Sequence, residues 1–307
     1  MWRGGPRASD RSPRPGARDM RIRRMHIVVC IKQVPDSAQI RVHPVTNTIM
    51  RQGVPTIINP YDLFALEEAL RLRDKMGGKV TVMTMGPPMA DESLRKALGF
   101  GADAAVLLTD RFFAGSDTLA TSFALATAID KLHKEDPISV VFTGKQTIDG
   151  DTAQVGPGIA QRLGLNQLTY VSGIREVDVQ AKTIVVERRA EGGTQVLKTA
   201  LPCLITMLEG TNTMRRGSMD DMFRAARAAI ATWSAKDAGV EDMTKCGLRG
   251  SPTVVKKVFA PQPRKDKAKL VETAGKTPAD VAQATIDTLF AANTKLEGDL
   301  LKLSAAS

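Results

Sequence analysis

A polar turn at residues 144–157 has the composition and position of a nucleotide-binding loop. It reads GKQTIDGDTAQVGP, follows an apolar run that ends at Thr143, and leads into a helical pattern over residues 152–163. A strand, a polar turn and a helix in this order present unpaired backbone N–H groups to an anion. Gly150 tolerates a positive φ and lets the backbone approach a ligand closely.

The side chains of the same turn could bind a sugar, in addition to the phosphate that its backbone N–H groups could bind. Asp149 and Asp151 can cap backbone N–H groups or accept hydrogen bonds from sugar hydroxyls. Thr152 and Gln154 add hydrogen-bonding groups where the helix is predicted to begin. The turn therefore suits a nucleotide with a ribose or ribityl chain better than bare phosphate.

Three other kinds of loop share some of these features. An ordinary strand-to-helix connection remains open from spacing alone. A calcium loop is disfavoured because no further acidic positions follow at the spacing that calcium requires. A Walker A loop is excluded, since Gly144-Lys145 lacks both the preceding glycine and the following serine or threonine.

The net charge of +10 does not predict a nucleic-acid-binding protein. Residues 1–24 carry eight arginines and two aspartates, a net charge of +6, so the remainder of the chain carries only +4. This Arg-, Pro- and Gly-rich segment is predicted to be disordered. It is either transit-like or the product of an upstream start site, and the strand pattern directly after Met25 favours a true start at Met20 or Met25.

Cysteine and histidine positions argue against the commoner metal and nucleophile sites. The three cysteines, Cys30, Cys203 and Cys246, are widely spaced without a CxxC pair, which fits a reducing cytosol. The three histidines are scattered, so neither a metal site nor a catalytic triad is predicted. No apolar run approaches the length of a membrane span.

The first half of the chain predicts an α/β fold with a doubly wound, mostly parallel sheet. Near-continuous apolar runs are typical of strands buried on both faces, and they occur at residues 26–31, 79–85, 104–108 and 138–143. Amphipathic helices are predicted between them, and a β-hairpin over residues 38–50 follows the first strand. The glycines at 99 and 101 follow a helix and are interpreted as its stop, so a standard Rossmann dehydrogenase is disfavoured.

The second half has a different organisation. It predicts a β-meander over residues 168–199, a polar loop at 208–222, an exposed arm at 250–272, and an amphipathic helix that begins at Thr277. We therefore expect three regions: a disordered extension (1–24), an α/β nucleotide-binding domain (25–235), and a C-terminal arm and helix that contact another subunit (236–307).

Ligands of open α/β sheets bind at the carboxyl ends of the strands. Five segments are candidates for that edge: residues 30–34, 59–62, 85–87, 115–121 and 144–155. In the fourth of these, Asp117 or Thr118 would contact a ligand or simply cap the following helix. Asn59 and Asp62 would likewise cap a helix, contact a ligand, or do both.

Three segments together resemble the beta subunit of electron transfer flavoproteins: MHIVVCIKQVPDS at 25–37, NPYD at 59–62 and the turn at 144–157. The resemblance covers roughly residues 25–290. The DGDTAQVGP form, with Gly150 and Asp151 as its signature, is similar to the electron-bifurcating branch and in particular to its nitrogen-fixation-associated Fix type. The ordinary branch departs after the first aspartate and holds AMP.

The resemblance implies a site for the adenosine diphosphate part of FAD, with the isoalloxazine ring toward a partner alpha subunit. It assigns the cofactor contacts to Cys30, Asn59, Asp62, Met85, Gly144, Lys145, Gln146, Thr147, Asp149, Gly150, Asp151, Thr152, Gln154 and Val155. Asp117 and Thr118 are added as candidates from their segment. None of these side chains resembles a general acid, base or nucleophile, which fits chemistry carried by a flavin.

The same resemblance implies a role and a set of partners. Hydride would come from NADH, with one electron passing through an alpha-subunit FAD to a flavoprotein–quinone oxidoreductase and its ferredoxin-like protein. The other electron would pass to ferredoxin or flavodoxin. The heterodimer would be cytoplasmic, with membrane association only through its partners and no membrane insertion.

Loop 208–222 resembles the family's partner-recognition loop in position. Relatives from fatty-acid oxidation carry leucines where this chain has Glu209 and Thr211, so the partner would differ. Asn212 belongs to the same predicted surface. Arg215 and Arg216 would either meet an acidic partner or form a solvated pair, and the arginines at 224 and 227 are interpreted as a solvated helix face.

Two alternatives remain open at this point. One is the same family without bifurcation, in which the site holds AMP and the subunit is structural. The other is a nucleotide-binding sensor of the universal-stress type, which would share only the sheet.

Overall fold

The computed structural model describes residues 24–36, 41–42, 49–50, 55–253, 270–296 and 298–299. The chain divides into two compact units, Met1–Phe259 and Ala260–Ser307. The predicted extension, apart from Arg24, and most of the predicted arm, residues 254–269, lie outside the described residues.

The strands of the described residues agree closely with the apolar runs of the sequence. In chain order they are β1 (Met25–Cys30), β2 (Gln33–Pro35), β3 (Arg41–Val42), β4 (Ile49–Met50), β5 (Thr56–Ile58), β6 (Gly78–Met85), β7 (Ala104–Leu108), β8 (Val140–Gly144), β9 (Asn166–Asp178), β10 (Thr183–Ala190), β11 (Gly193–Ala200), β12 (Cys203–Met207) and β13 (Ala231–Trp233). Nine of them form one sheet in the order β11-β10-β9-β12-β8-β1-β6-β7-β13.

Most neighbours in this sheet are parallel, and the exceptions form the predicted meander. β10 pairs antiparallel with both β9 and β11, whereas β12, β8, β1, β6, β7 and β13 pair with their neighbours in parallel. The predicted hairpin over residues 38–50 is represented by β3 and β4, which pair antiparallel.

Helices lie between the parallel strands, as the alternation predicts. They are α1 (Pro60–Met76), α2 (Asp91–Gly99), α3 (Thr118–Glu135), α4 (Val155–Leu163), α5 (Met219–Arg227) and, in the second unit, α6 (Pro278–Ala292). Gly77 ends α1 with a φ of +75°, and Ser218 and Thr277 head capping boxes at α5 and α6. No helix within the described ranges is long and apolar enough to cross a membrane.

The core has two layers because successive residues of each central strand face opposite sides of the sheet. Ile27 and Val29 of β1 are buried in a cluster that includes Leu66 of α1. Val28 is buried in the other cluster, together with Ile129 of α3. Helices therefore cover both faces, and the doubly wound, mostly parallel α/β fold predicted from the sequence is confirmed.

One local prediction was wrong, and one of the roles left open for Asn59 is not observed; both concern residues near the site. α4 begins at Val155 rather than at residue 152, because Asp151 and Ala153 have φ values of 52° and 54°, which a right-handed helix cannot contain. Asn59 occupies the position before α1, but its side chain makes no capping hydrogen bond. The structure also packs Val240 and Cys246 into the core of the first unit, although the sequence assigned them to the C-terminal region.

Gly78→Ala is expected to destabilise the sheet. Gly78 has a φ of +130°, and a Cβ there would overlap the backbone oxygen of Met25 in the neighbouring strand, so the cost should reach roughly 1–3 kcal/mol or more. Gly164→Ala is the matched control, because its φ is also positive, at +63°, but nothing lies within 4 Å of its Cβ position. Urea unfolding compares the two variants, and an equal loss of unfolding free energy would contradict the prediction.

Candidate functional site

Strands β8, β1 and β6 end side by side at the carboxyl edge of the sheet. The chain passes from β1 to β6 and β7 on one side, and later places β8 on the other side of β1. The strand order therefore reverses between β1 and β8. Open α/β sheets bind ligands in the crevice outside such a reversal.

A cavity of about 1260 Å³ opens at this crevice. The structure brings most of the predicted cofactor residues into its wall: Cys30, Asp62, Met85, Asp117, Thr118, Gly144, Lys145, Gln146, Thr147, Asp149, Gly150, Thr152, Gln154 and Val155. Asn59 and Asp151 are not part of the wall but are bonded to residues that are. The wall also contains four residues that were not predicted, Thr109, Asp110, Arg111 and Phe113. They follow β7, so the rule that ligands bind at the carboxyl ends of parallel strands identifies them.

Asp62 and Asn59 brace the cavity from the start of α1. The carboxylate of Asp62, 4% exposed, accepts the backbone N–H of Lys32 at 2.7 Å and that of Gly144 at 3.1 Å. Asn59 donates its side-chain N–H to the carbonyl oxygen of Gln146 at 2.8 Å and accepts the N–H of Ile148 at 3.2 Å. The NPYD segment therefore fixes the ends of β1 and β8 and the first half of the turn.

Two groups at this edge have strongly shifted acidity. Burial raises the pKa of Asp62 to about 7, against the opposing effect of its N–H donors. Burial, with a further contribution from the Asp62 charge, raises the pKa of Cys30 to about 12. The thiol of Cys30 is therefore protonated at neutral pH and packs as a small apolar group rather than as a nucleophile.

An ion pair spans the opening between the end of β1 and the turn. The ammonium of Lys32 contacts both carboxylate oxygens of Asp149, at 2.9 Å and 2.7 Å. Partial burial alone would raise the pKa of Asp149, but the Lys32 ammonium outweighs it and holds that pKa below its ordinary value. Asp149 is therefore charged at neutral pH.

The backbone of the turn differs from the expectation at Gly150. Gly150 is not among the residues with positive φ; the left-handed positions are Asp151 and Ala153. Gln146 donates its side-chain N–H to the Asp151 carboxylate at 2.7 Å, and this bond helps to hold the left-handed backbone. Aspartate is one of the few residues that tolerate this conformation well.

The two helices that begin at the cavity differ in how their first turns are satisfied. Asp117 caps α3 by accepting the N–H groups of Leu119 at 2.9 Å and Ala120 at 3.0 Å, so of the two roles left open for Asp117 the structure shows capping. α4 has no side-chain cap at Gln154, whose side-chain oxygen instead accepts the hydroxyl of Thr118 at 2.8 Å. The N–H groups at the start of α4 are therefore open to an anion.

The predicted partner residues form a loop that is tied to the rest of the first unit. Glu209 lies 3.2 Å from the ammonium of Lys145, and Thr211 donates its hydroxyl to the carbonyl oxygen of Leu208 at 3.2 Å. Asn212 donates to the carbonyl oxygen of Phe64 at 3.0 Å. These contacts attach the loop to Lys145 and to α1.

The arginines of this region differ in their surroundings. Arg215 is not half of a solvated pair, because its guanidinium lies 2.9 Å from the buried carboxylate of Glu67 and 2.6 Å from the half-exposed carboxylate of Asp74. Arg216 is exposed. Arg224 and Arg227 are exposed, as expected of a solvated helix face. Arg224 also donates to the carbonyl oxygen of Ala102 at 2.9 Å, which attaches α5 to the segment after α2.

A family model described as the electron transfer flavoprotein domain matches residues 46–238. This match covers more than half of the chain, and the chain therefore belongs to the electron transfer flavoprotein family. Membership in this family sets aside the alternative of a universal-stress-type sensor.

Individual relatives define the type of subunit. The chain is 71% identical over 281 residues to Protein FixA of Bradyrhizobium diazoefficiens, covering 91% of this chain and 96% of that relative. It is 64% identical over 278 residues to Protein FixA of Azotobacter vinelandii, covering 91% and 99%. It is 50% identical over 233 residues to the electron transfer flavoprotein subunit beta of Clostridium acetobutylicum, covering 76% and 87%. The predicted resemblance to beta subunits of the Fix type is confirmed.

Asp62 should make stability fall as the pH rises from about 4 to about 7. Its folded pKa of about 7 lies above the ordinary value near 4, so across this window the folded chain keeps a proton that the unfolded chain has released. Asp62→Asn should remove this dependence, and the gap in unfolding free energy between wild type and variant should narrow from pH 5 to pH 8.

Asp149→Asn is the control for this experiment. Because the pKa of Asp149 is held below its ordinary value, its contribution is complete above about pH 5 and should stay constant to pH 8. Urea unfolding at pH 5, 6.5 and 8 measures all three proteins. A gap between wild type and Asp62→Asn that does not change with pH would contradict the assignment.

Proposed function

We propose that this chain is the beta-type subunit of a heterodimeric electron transfer flavoprotein and that its cavity binds the adenosine diphosphate part of FAD. The observation that carries the proposal is the uncapped first turn of α4, which lines a large cavity where the strand order reverses. Family membership supports a flavin or a nucleotide in this place.

The diphosphate would lie against the segment that enters α4. Helix N-termini carry partial positive charge and unpaired N–H groups. The left-handed Ala153 is followed by the right-handed Gln154, and such a pair turns successive N–H groups toward one point, where an anion binds. The ammonium of Lys32 lies at the same opening, where it neutralises the Asp149 carboxylate and so reduces the repulsion between that carboxylate and an anion.

The size of the cavity favours a dinucleotide over AMP. Pockets for ligands of ordinary drug size have volumes of roughly 300–1,000 Å³, whereas this cavity has about 1260 Å³. Hydroxyl groups of Thr118, Thr121 and Thr152 and the carboxylate of Asp149 line it and can bond ribose or ribityl hydroxyls. Apolar residues such as Phe113 and Leu125 complete the wall and exclude water.

The bound FAD would supply the redox chemistry, taking up hydride from NADH and releasing the two electrons separately, one toward an alpha-subunit FAD and a flavoprotein–quinone oxidoreductase and the other toward ferredoxin or flavodoxin. The residues of this chain bind, orient and shield the cofactor. The DGDTAQVGP form of the turn supports this electron-bifurcating role.

The names of the relatives bear on the physiological setting. Two of them are Protein FixA, at 71% and 64% identity, which supports a role in electron supply for nitrogen fixation. We place the subunit in the cytoplasm, beside an alpha-type subunit, the quinone oxidoreductase and its ferredoxin-like protein.

A flavin count on the purified heterodimer tests the proposal directly. Two flavins per heterodimer are expected, one in each subunit, together with reduction of the beta-subunit flavin by NADH. One flavin together with bound AMP would instead identify the non-bifurcating branch, in which this subunit is structural. Absorbance spectroscopy and mass spectrometry of the released nucleotides distinguish the two results.

Gly150→Val is expected to lower FAD affinity in this cavity at least tenfold, about 1.4 kcal/mol of binding free energy. Gly150 lines the cavity, and a Cβ there meets only the hydroxyl of Thr147, at 3.4 Å, so the added side chain fills ligand space without straining the backbone. Gly173→Val is the matched control, because it has room for a Cβ and does not line the cavity.

The two glycine variants are compared by flavin content and by reduction with NADH. Both should keep their fold and their alpha-type partner, and only Gly150→Val should lose the beta-subunit flavin. Full flavin and full NADH reactivity in Gly150→Val would refute the placement of the cofactor.

Removal of residues 277–307 is expected to abolish pairing with the alpha-type subunit while the first unit stays folded. No residue of α6 is buried, and Ile286 and Leu289 are 43% and 53% exposed, so the helix presents an apolar face of the kind that marks interfaces. A chain that begins at Met25 is the control and should pair normally. Co-purification with a tagged alpha-type subunit measures pairing; undiminished pairing after the C-terminal deletion would exclude α6 from the interface.

A further inference from the structure

Lys145 links the turn of the cavity to the loop at residues 208–222, which we call the partner loop. Its backbone N–H donates to the carbonyl oxygen of Met207 at 2.9 Å, and its ammonium lies 3.2 Å from the carboxylate of Glu209. β8 and β12 pair in parallel with Gly144 opposite Met207, so the residues that follow the two strands are neighbours. The side chain of Lys145 is only 12% exposed.

Two tyrosines enclose this ammonium. It lies 5.0 Å from the ring centroid of Tyr61 and 6.0 Å from that of Tyr170. Tyr170 has a φ of 57° and sits where the register of β9 against β12 shifts, with its N–H bonded to the hydroxyl of Thr206 at 3.1 Å. Bulges re-aim side chains, and left-handed backbone at an aromatic residue persists only where its surroundings hold it. The irregularity in β9 therefore places an aromatic ring beside Lys145.

Glu209 lies near the start of the partner loop, where its ion pair with Lys145 holds the chain. Gly210 follows it with a φ of +73°, and the loop is fixed again where Asn212 and Arg215 bond to α1. The start of α1 also holds the turn of the cavity, through Asp62. The turn and the partner loop are thus both attached to α1, and the Lys145–Glu209 ion pair joins them directly.

We propose that the Lys145–Glu209 ion pair couples occupancy of the cavity to the conformation of the partner loop, so that a nucleotide bound at residues 144–155 stabilises the loop conformation that its protein partner recognises. The inference rests on the proposed function. A ligand that shifts the turn also shifts the backbone of Lys145. The ammonium is largely shielded from water, and its ion pair with the half-exposed Glu209 passes this shift to the loop. Coupling of this kind is reciprocal, because a loop held by a partner must favour the liganded turn by the same factor.

Limited trypsin digestion of the full chain in its complex with the alpha-type subunit tests this coupling. Arg216 is exposed within the partner loop and is the cleavage site to be followed. Saturating FAD, or AMP in parallel samples, should slow cleavage after Arg216 at least fivefold in the wild type, at the lower end of typical coupling factors. In Glu209→Gln, which changes a residue that does not line the cavity, this protection should fall to a factor near one.

Arg189→Gln is the matched control. Arg189 also contacts Glu209, at 3.4 Å, but lies in β10 and does not line the cavity. This variant should keep the protection seen in the wild type. Circular dichroism of each variant establishes that its fold is intact.

The possible results separate this inference from the proposed function. If FAD and AMP both fail to bind the wild-type complex, the proposed function is wrong and the coupling falls with it. If they bind, and Glu209→Gln shows the same nucleotide-dependent protection as the wild type, the coupling is wrong while the proposed function stands. Protection that Arg189→Gln loses as fully as Glu209→Gln would also overturn it, because the loop would then depend on its general charge rather than on Lys145.

Discussion

The buried carboxylate of Asp62 accepts one N–H from the end of β1 and one from the end of β8, and the cavity depends on this arrangement. These strands flank the point at which the strand order reverses, so a single side chain fixes the width of the crevice. Burying a carboxylate is costly, and its two N–H donors offset only part of the cost, which explains why the pKa of Asp62 is raised to about 7.

α1 transmits the position of this carboxylate to the rest of the site. Asn59, just before the helix, holds the middle of the turn, while Glu67, further along it, holds Arg215 of the partner loop. A helix is rigid over this length because its backbone hydrogen bonds are internal. The cavity is therefore positioned by the start of this helix, and Arg215 of the partner loop by its middle.

The fold was predictable because its signals are local. Runs such as residues 26–31 and 138–143 are apolar throughout, and this pattern requires strands covered on both faces. The position of the cavity was predictable because ligands of open α/β sheets bind at the carboxyl ends of the strands. The left-handed backbone at Asp151 and Ala153, which delays α4 to Val155, has no equally local signal.

Contacts between distant segments could not be derived from the sequence pattern. Arg215 and Glu67 are 148 residues apart, and Asn59 and Ile148 are 89 apart. Nothing local distinguishes an arginine that meets a buried glutamate from one that meets water, or an asparagine that caps its own helix from one that braces a distant turn. Such roles are decided by packing, which appears only when the sheet is assembled.

The two helices that begin at the cavity differ in whether a side chain caps them, and this difference makes the electrostatics of the cavity asymmetric. α4 offers uncapped N–H groups, whereas the start of α3 is neutralised by the Asp117 carboxylate, with Asp110 nearby in the same wall. An anionic segment is therefore favoured at the start of α4 over the start of α3. The position of an anionic segment along the crevice is thus set by the one helix start that lacks a cap, and the parts of an elongated ligand on either side of that segment would meet different walls of the cavity.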